Sequence, residues 1–372
     1  MNRLVIIGNG FDLAHGLKTS YANFIDWYWE QRVNGFATEY TDTSSDILCT
    51  FKCLKNEVWS VYHFRDVPHV HPSVNGKEIV KSLFEQPNKY EIITSDFFSN
   101  ILQDIDCYNW VDIENKYYEL LTDYVLSEED CEEEIVELNK QFAFLREKLI
   151  EYLKTIGTNQ QIEELHNHII EFFNPVDFST EGRKMAFDNL GLDLTKYKEI
   201  CENYEQQIEF RPERIMLLSF NYTATAKMYS NFNLEFNYIH GDLEHPKNII
   251  FGYGDELDKD YQSILDRNDN ELLKNVKSVK YLETRHYHDM LEFLMAAPFQ
   301  VLIMGHSCGN SDRTLLNTVF EHENCVSIKP FYHKWDDGSD NYLELVQNIS
   351  RNFTNMRMFR DRVVNKDQCK TM

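Results

Sequence analysis

Five short apolar runs, each cut off by a polar turn, constrain this chain more than any other feature. They are LVII at 4–7 before Gly8-Asn9-Gly10, IMLLS at 215–219 before Phe220-Asn221-Tyr222, and FNYI at 236–239 before His240-Gly241. NIIF at 248–251 precedes Gly252-Tyr253-Gly254, and VLIM at 301–304 precedes Gly305-His306-Ser307. Runs of four or five apolar residues bounded by glycine fit strands buried on both faces. Stretches at helical spacing lie between several of them, for example 281–295. Strands alternating with helices predict an α/β fold with a parallel sheet. In such a sheet the ligand lies beyond the carboxyl ends of the strands, where these turns fall.

The second strand begins about 200 residues after the first. Between them Trp110, Ile113, Tyr117, Leu120 and Leu121 share one helical face. Ile135, Leu138, Phe142, Leu145, Leu149 and Leu153 share another. The acids at 128–134 open that second helix, where they complement its dipole. The chain therefore divides into a discontinuous α/β core, residues 1–30 with 211–372, and a mainly helical insertion, 31–210. At 372 residues, two domains or one with an insertion is the expected scale.

Composition excludes several classes. Hydrophobic residues at 42% and charged residues at 26% exclude a disordered or fibrous chain. The net charge of -24, with no basic stripe, disfavours bulk nucleic acid as a partner. A small nucleotide stays open, since backbone N–H groups can hold phosphate. The eight cysteines are scattered without a C-x-x-C pair, which excludes a zinc ribbon and reads as a reduced, cytoplasmic protein. Four apolar residues after Met1-Asn2-Arg3 are too few for a signal peptide, and 290–304 is too polar to span a membrane.

The turns carry the candidate chemistry. Gly8-Asn9-Gly10-Phe11-Asp12 after a strand lets backbone approach a phosphate, although Leu13 breaks the G-x-G-x-x-G fingerprint. Asp12 would repel phosphate and is read as an acceptor for ribose hydroxyls or for the loop backbone. Thr19 or Ser20 is the expected cap of the following helix. Asn221 either orients a water and a sugar hydroxyl or closes a turn. His240 is read as an exposed, titratable group near pH 7. In Gly305-His306-Ser307-Cys308-Gly309-Asn310-Ser311-Asp312, Ser311 is the expected cap of the next helix, with Asp312 in its first turn.

Other patterns carry less. Asp112 and Glu114-Asn115-Lys116 match the acid/E-x-K spacing of metal-dependent nucleases, but the surrounding period is helical. The His pairs 69/71, 166/168 and 286/288 are read as structural, and no metal set is assigned.

At these turns the sequence resembles the abortive-infection AbiH family of anti-phage proteins. The matching residues are LVIIGNGFDLAHGLKTSY at 4–21, WVDIE at 110–114, SFNYTAT at 219–225, His240-Gly241, IIFGYGDE at 249–256 and MGHSCGNSD at 304–312. More distantly the series resembles the sirtuin-like NAD-binding fold, with its Asn loop, His-Gly turn and late Gly-Ser turn. The resemblance implies a parallel, Rossmann-like sheet and NAD, as substrate or ligand, cleaved at its nicotinamide–ribose bond. It implies His240 as general base and Asn221 at the ribose and attacking water. Gly8, Asn9, Gly10, Phe11, Asp12, Gly305, His306, Ser307 and Asp312 would hold the nucleotide. It also implies a phage protein as trigger and leaves room for a homo-oligomer. Two departures stand out: Thr223 occupies the place of the sirtuin acid, and paired C-x-x-C motifs are absent. The competing class is a non-enzymatic nucleotide-binding sensor or interaction module.

Overall fold

The computed structural model describes residues 1–38, 43–54, 85, 87–102, 110–156, 172, 193, 195–196, 199, 212–230 and 233–372. They form two compact units: residues 1–17, 157–261 and 276–372, and residues 18–156 with 262–275.

The first unit is built on the apolar runs. β1 (Asn2–Ile7) is followed in the other unit by β2 (Thr43–Ser45), β3 (Cys49–Cys53) and β4 (Tyr90–Thr94). The chain then returns through β5 (Ile215–Ser219), β6 (Glu235–Tyr238), β7 (Phe299–Met304), β8 (Cys325–Tyr332) and β9 (Lys370–Thr371). The main sheet runs β6-β5-β1-β7-β8-β9, and every pair in it is parallel. Numbered along the chain within this sheet, the order is 3-2-1-4-5-6, that of doubly wound nucleotide-binding sheets. The expected α/β class with a parallel, Rossmann-like sheet is what the chain forms.

Alternation along each strand feeds two cores. Leu4 and Ile6, Met216 and Leu218, and Val301 and Ile303 pack with Met290, Phe293 and Leu294 of the helix His286–Ala296. Val5 and Ile7, Leu217, and Leu302 and Met304 pack on the opposite face with Phe11, Tyr229 and Phe331. Both faces are covered, so the strands read as unbroken apolar runs rather than alternating ones. Each fully buried aliphatic side chain contributes roughly 1.5–3 kcal/mol.

One sequence expectation fails here, and one strand was not expected. Residues 248–251 are not a strand. Asn248 ends a 3-10 turn, and Ile249, Ile250 and Phe251 are buried in irregular backbone, with Ile250 N–H donating to His240 O at 2.9 Å. The run is apolar because it packs beside the His240 turn. Conversely, β8 escaped notice because Lys329 and Pro330 interrupt its pattern. Pro330 is tolerated because β9 pairs only from Phe331 onward, leaving the proline paired with Ile303 of β7.

The second unit holds the predicted helices Trp110–Leu126 and Glu132–Thr155, with Ile113, Tyr117 and Leu121, and all six residues of the second stripe, buried. Tyr117 stacks on Phe142 at 4.1 Å and donates to Asn139 Oδ1 at 2.6 Å. Ser20 caps the helix Tyr21–Thr38 by accepting from Asn23 N–H at 3.2 Å. This unit is not purely helical: β2, β3 and β4 form an antiparallel sheet. β3, CTFKC, buries Cys49 and Phe51 but offers no continuous apolar run.

Candidate functional site

Register sets the turns level. Ile7 pairs with Ser219 on one side and Met304 on the other, and Ser219 pairs with Tyr238. Gly8, Phe220, Ile239 and Gly305 therefore leave the sheet at one height. The order reverses between β1 and β7, so the Gly8 and Gly305 turns meet at the switch point.

These two turns are in backbone contact. Gly10 N–H donates to Gly305 O at 2.8 Å, Gly8 N–H to Met304 O at 3.1 Å, and Phe11 N–H to Gly8 O at 2.9 Å. A Cβ on Gly8 would lie 2.4 Å from His306 Cα. A Cβ on Gly305, whose φ is +72°, would lie 2.1 Å from Phe11 N. The glycines thus serve the close approach of one turn to the other, and the N–H groups of Gly8, Gly10 and Phe11 are engaged within it. Asn9 is half-buried at the edge of this contact, and Phe11 packs into the core against His15 and Tyr229.

Asp12 is buried at 1% exposure. Its Oδ2 accepts from Thr223 Oγ1 at 2.6 Å, while Oδ1 has no hydrogen-bond partner among the described residues. Burial raises its carboxyl, the hydrogen bond from Thr223 and the nearby polar groups of Thr225 and Asn221 offset part of the rise, and it is pushed up to about 6. Asn221, half-buried, donates from Nδ2 to Gly8 O at 2.9 Å and so ties the β5 turn to the β1 turn.

His240 departs from expectation: it is buried at 4% exposure, not exposed. Its Nε2 lies 3.3 Å from Asp312 Oδ1 and 3.1 Å from Tyr281 Oη. Asp312 Oδ1 also accepts from Lys277 Nζ at 2.7 Å, and Oδ2 lies 3.5 Å from His306 Nε2. Burial would raise the Asp312 carboxyl, but Lys277, then His240 and His306, hold it well below the usual range. Burial and the Lys277 ammonium lower His240 more than Asp312 raises it, so the ring is neutral near pH 7. Lys277 was missed in the sequence; it sits in VKSVKY at 276–281, where nothing separates it from a surface lysine.

Ser311 does not cap the helix Arg313–Phe320. Asp312 takes the cap position without a side-chain cap bond. Both side chains turn toward Lys277 instead, with Ser311 Oγ 3.5 Å from its Nζ. Ser307 is exposed, and its carbonyl accepts from Asn348 at 3.0 Å.

Asp112 and Glu114 lie on the helix Trp110–Leu126, half-buried and buried respectively, not on a sheet as the nuclease pattern needs. His286 and His288 lie on a helix, whereas the 69/71 and 166/168 pairs fall outside the described residues. Asp242, Glu244 and His245 bring ligand atoms within 4.8 Å of one another. Asp242 Oδ1 there accepts the N–H groups of Glu244 and His245, and Lys227 neutralises Glu244 at 2.7 Å, as in an ordinary turn. An open cleft of about 820 Å³ in the second unit is lined by Asp96, Glu132, Glu133, Glu134 and Glu137 and holds none of the expected residues. No described helix is long and apolar enough to cross a membrane.

Among curated proteins and among solved structures, no match was found. A family model, Bacteriophage abortive infection AbiH, matches residues 4–333, which include β1, β5, β6, β7 and every turn described above. The chain belongs to the AbiH family of bacteriophage abortive infection proteins.

Proposed function

We propose that the protein serves phage abortive infection by binding a nucleotide, NAD or a related one, at the carboxyl ends of β1, β5, β6 and β7, and by hydrolysing NAD at its nicotinamide–ribose bond. One observation carries the ligand: Asp12 Oδ1, just beyond the carboxyl end of β1, is a buried carboxylate oxygen with no geometric hydrogen bond among the described residues, and its partner oxygen is held by the β5 turn that also carries Asn221. A ribose hydroxyl would satisfy it. The residues fit the ribose end of the nucleotide better than its pyrophosphate, because the Gly8 and Gly10 N–H groups are already engaged. Gly8, Asn9, Gly10 and Phe11 then border the ligand as backbone, with Gly305, His306, Ser307 and Asp312 across the switch point.

In the reaction, the bond from the ribose carbon to nicotinamide nitrogen breaks through an oxocarbenium-like state. Its electron pair neutralises the pyridinium and nicotinamide leaves. Water adds to the ribose carbon and gives its proton to neutral His240. Asn221 orients the water and a ribose hydroxyl. The low basicity of His240 keeps it unprotonated, as a base working near pH 7 must be. The Asn, His-Gly and late Gly-Ser turns resemble the sirtuin-like series, which supports the same ligand.

The second reading, a nucleotide sensor, is favoured by the burial of His240. Phage challenge of cells expressing the parent, His240→Gln or Asn221→Ala, with soluble protein measured alongside, tests the proposal. Loss of protection at normal abundance is expected. Full protection from both variants would leave the sensor reading.

A further inference from the structure

The cluster around His240 contains a buried charge pair that the hydrolysis step itself does not use. Lys277 is 1% exposed and Asp312 4%, and their 2.7 Å contact is the shortest in the cluster. The fold prepares a seat for the lysine. Its N–H donates to Tyr253 O at 2.8 Å, and a Cβ on Gly254 would come within 3.2 Å of Lys277 Cβ. The glycine within GYG at 252–254 therefore admits the lysine stem.

We infer that Lys277 and Asp312 are a positioning pair that fixes the His240 tautomer, placing the proton on Nε2 and leaving Nδ1 as the proton-accepting atom. The cause is electrostatic. A buried carboxylate stays ionised only beside a cation, and Lys277 supplies it. An ionised Oδ1 lies 3.3 Å from Nε2. A nitrogen lone pair facing that oxygen would be repelled, whereas an N–H is attracted, so Nε2 carries the proton. A neutral imidazole has one proton, and Nδ1 is then the acceptor. Tyr281 Oη, 3.1 Å from the same Nε2, shares that proton as a second acceptor.

His306 shows the same logic from the other side. Cys308 N–H donates to His306 Nδ1 at 2.9 Å, so the His306 proton sits on Nε2, facing Asp312 Oδ2. Cys308 holds a left-handed φ of 55°, costly for a non-glycine residue, with its carbonyl accepting from Asn352 at 2.8 Å. The titratable groups facing His240 among the described residues are Lys277, Tyr281, His306 and Asp312.

The catalytic consequence rests on the proposed NAD hydrolysis; the tautomer does not. Full-length protein labelled with nitrogen-15 histidine, read by long-range nitrogen–proton correlation, reports it directly, with His240→Gln identifying the resonance. The parent is expected to show the Nε2–H tautomer near pH 7. The double variant Lys277→Met with Asp312→Asn removes both charges together, avoiding a lone buried ion. It should give a mixture of tautomers and lower kcat for nicotinamide release at least about tenfold, with KM changed far less. Lys277→Arg should restore the single tautomer. A proton on Nδ1 in the parent, or a folded double variant keeping the parent spectrum, would overturn the inference. If the double variant does not fold, the parent spectrum decides alone. A parent that cleaves no NAD would remove the hydrolase reading, while the spectrum still decides the pair.

Discussion

Asp12 is a side chain whose burial weakens the fold at neutral pH. Burial pushes its folded carboxyl up to about 6 from the ordinary 3.8. Between those values the folded chain binds more protons than the unfolded one, so this group's contribution falls as pH rises through about 4 to 6. At pH 7 the ionised carboxylate is a liability of up to about 3 kcal/mol. Asp12→Asn should therefore be more stable than the parent at pH 7 and lose that advantage near pH 4, measured by denaturant unfolding across the range. If the parent shows the thermal shift expected with NAD or ADP-ribose, the same variant should lose it. An unchanged ligand shift would remove Asp12 from the site. His240 is the opposite case. Its ring is buried and borders an ionised carboxylate, so His240→Ala should cost about 2–4 kcal/mol, which is why His240→Gln is the cleaner functional variant.

At the scale of elements, the contact between the β1 and β7 turns is the critical joint. Gly305 has a left-handed φ and no room for a Cβ, whereas Gly338, at φ +87°, has nothing within 4 Å of its Cβ position. Backbone strain alone costs about 1–2 kcal/mol, so Gly338→Ala should lower Tm by only about 2–8 °C. Gly305→Ala must also push the two backbones away from each other, and should lower Tm by about 10 °C or more or abolish soluble protein. Equal effects would contradict the joint. The same joint explains what the sequence revealed and what it hid. Uniform apolar runs disclosed β1, β5 and β7, because buried parallel strands need no alternation, while β6, a half-buried edge strand, was marked by the shorter FNYI run. The turns after them were legible as glycine, Asn and His positions. The direction in which their N–H groups point was not, since a glycine admitted for a neighbouring backbone looks the same as one admitted for a phosphate. Residues 248–251 misled for a related reason, since burial and strand pairing leave one signature in a short run. Lys277 and the Asp312 hub depend on tertiary approach across 35 residues and leave no local period.

For the whole molecule, 61 acidic residues against 37 basic ones mean self-repulsion in the folded state. Added sodium chloride should raise Tm at pH 7 by screening it, and a Tm that falls steadily with salt would point instead to ion pairs as the dominant charge term. AbiH family membership gives the chain its role in phage abortive infection, and the nucleotide-dependent step is the proposal to be tested. Its most direct measurement is free nicotinamide released from NAD by purified full-length protein, with and without phage lysate, beside His240→Gln. Nicotinamide and ADP-ribose are expected in equal amounts from the parent, with the variant slower by on the order of a hundredfold or more. NAD bound by the folded parent but left intact under both conditions would contradict the proposal.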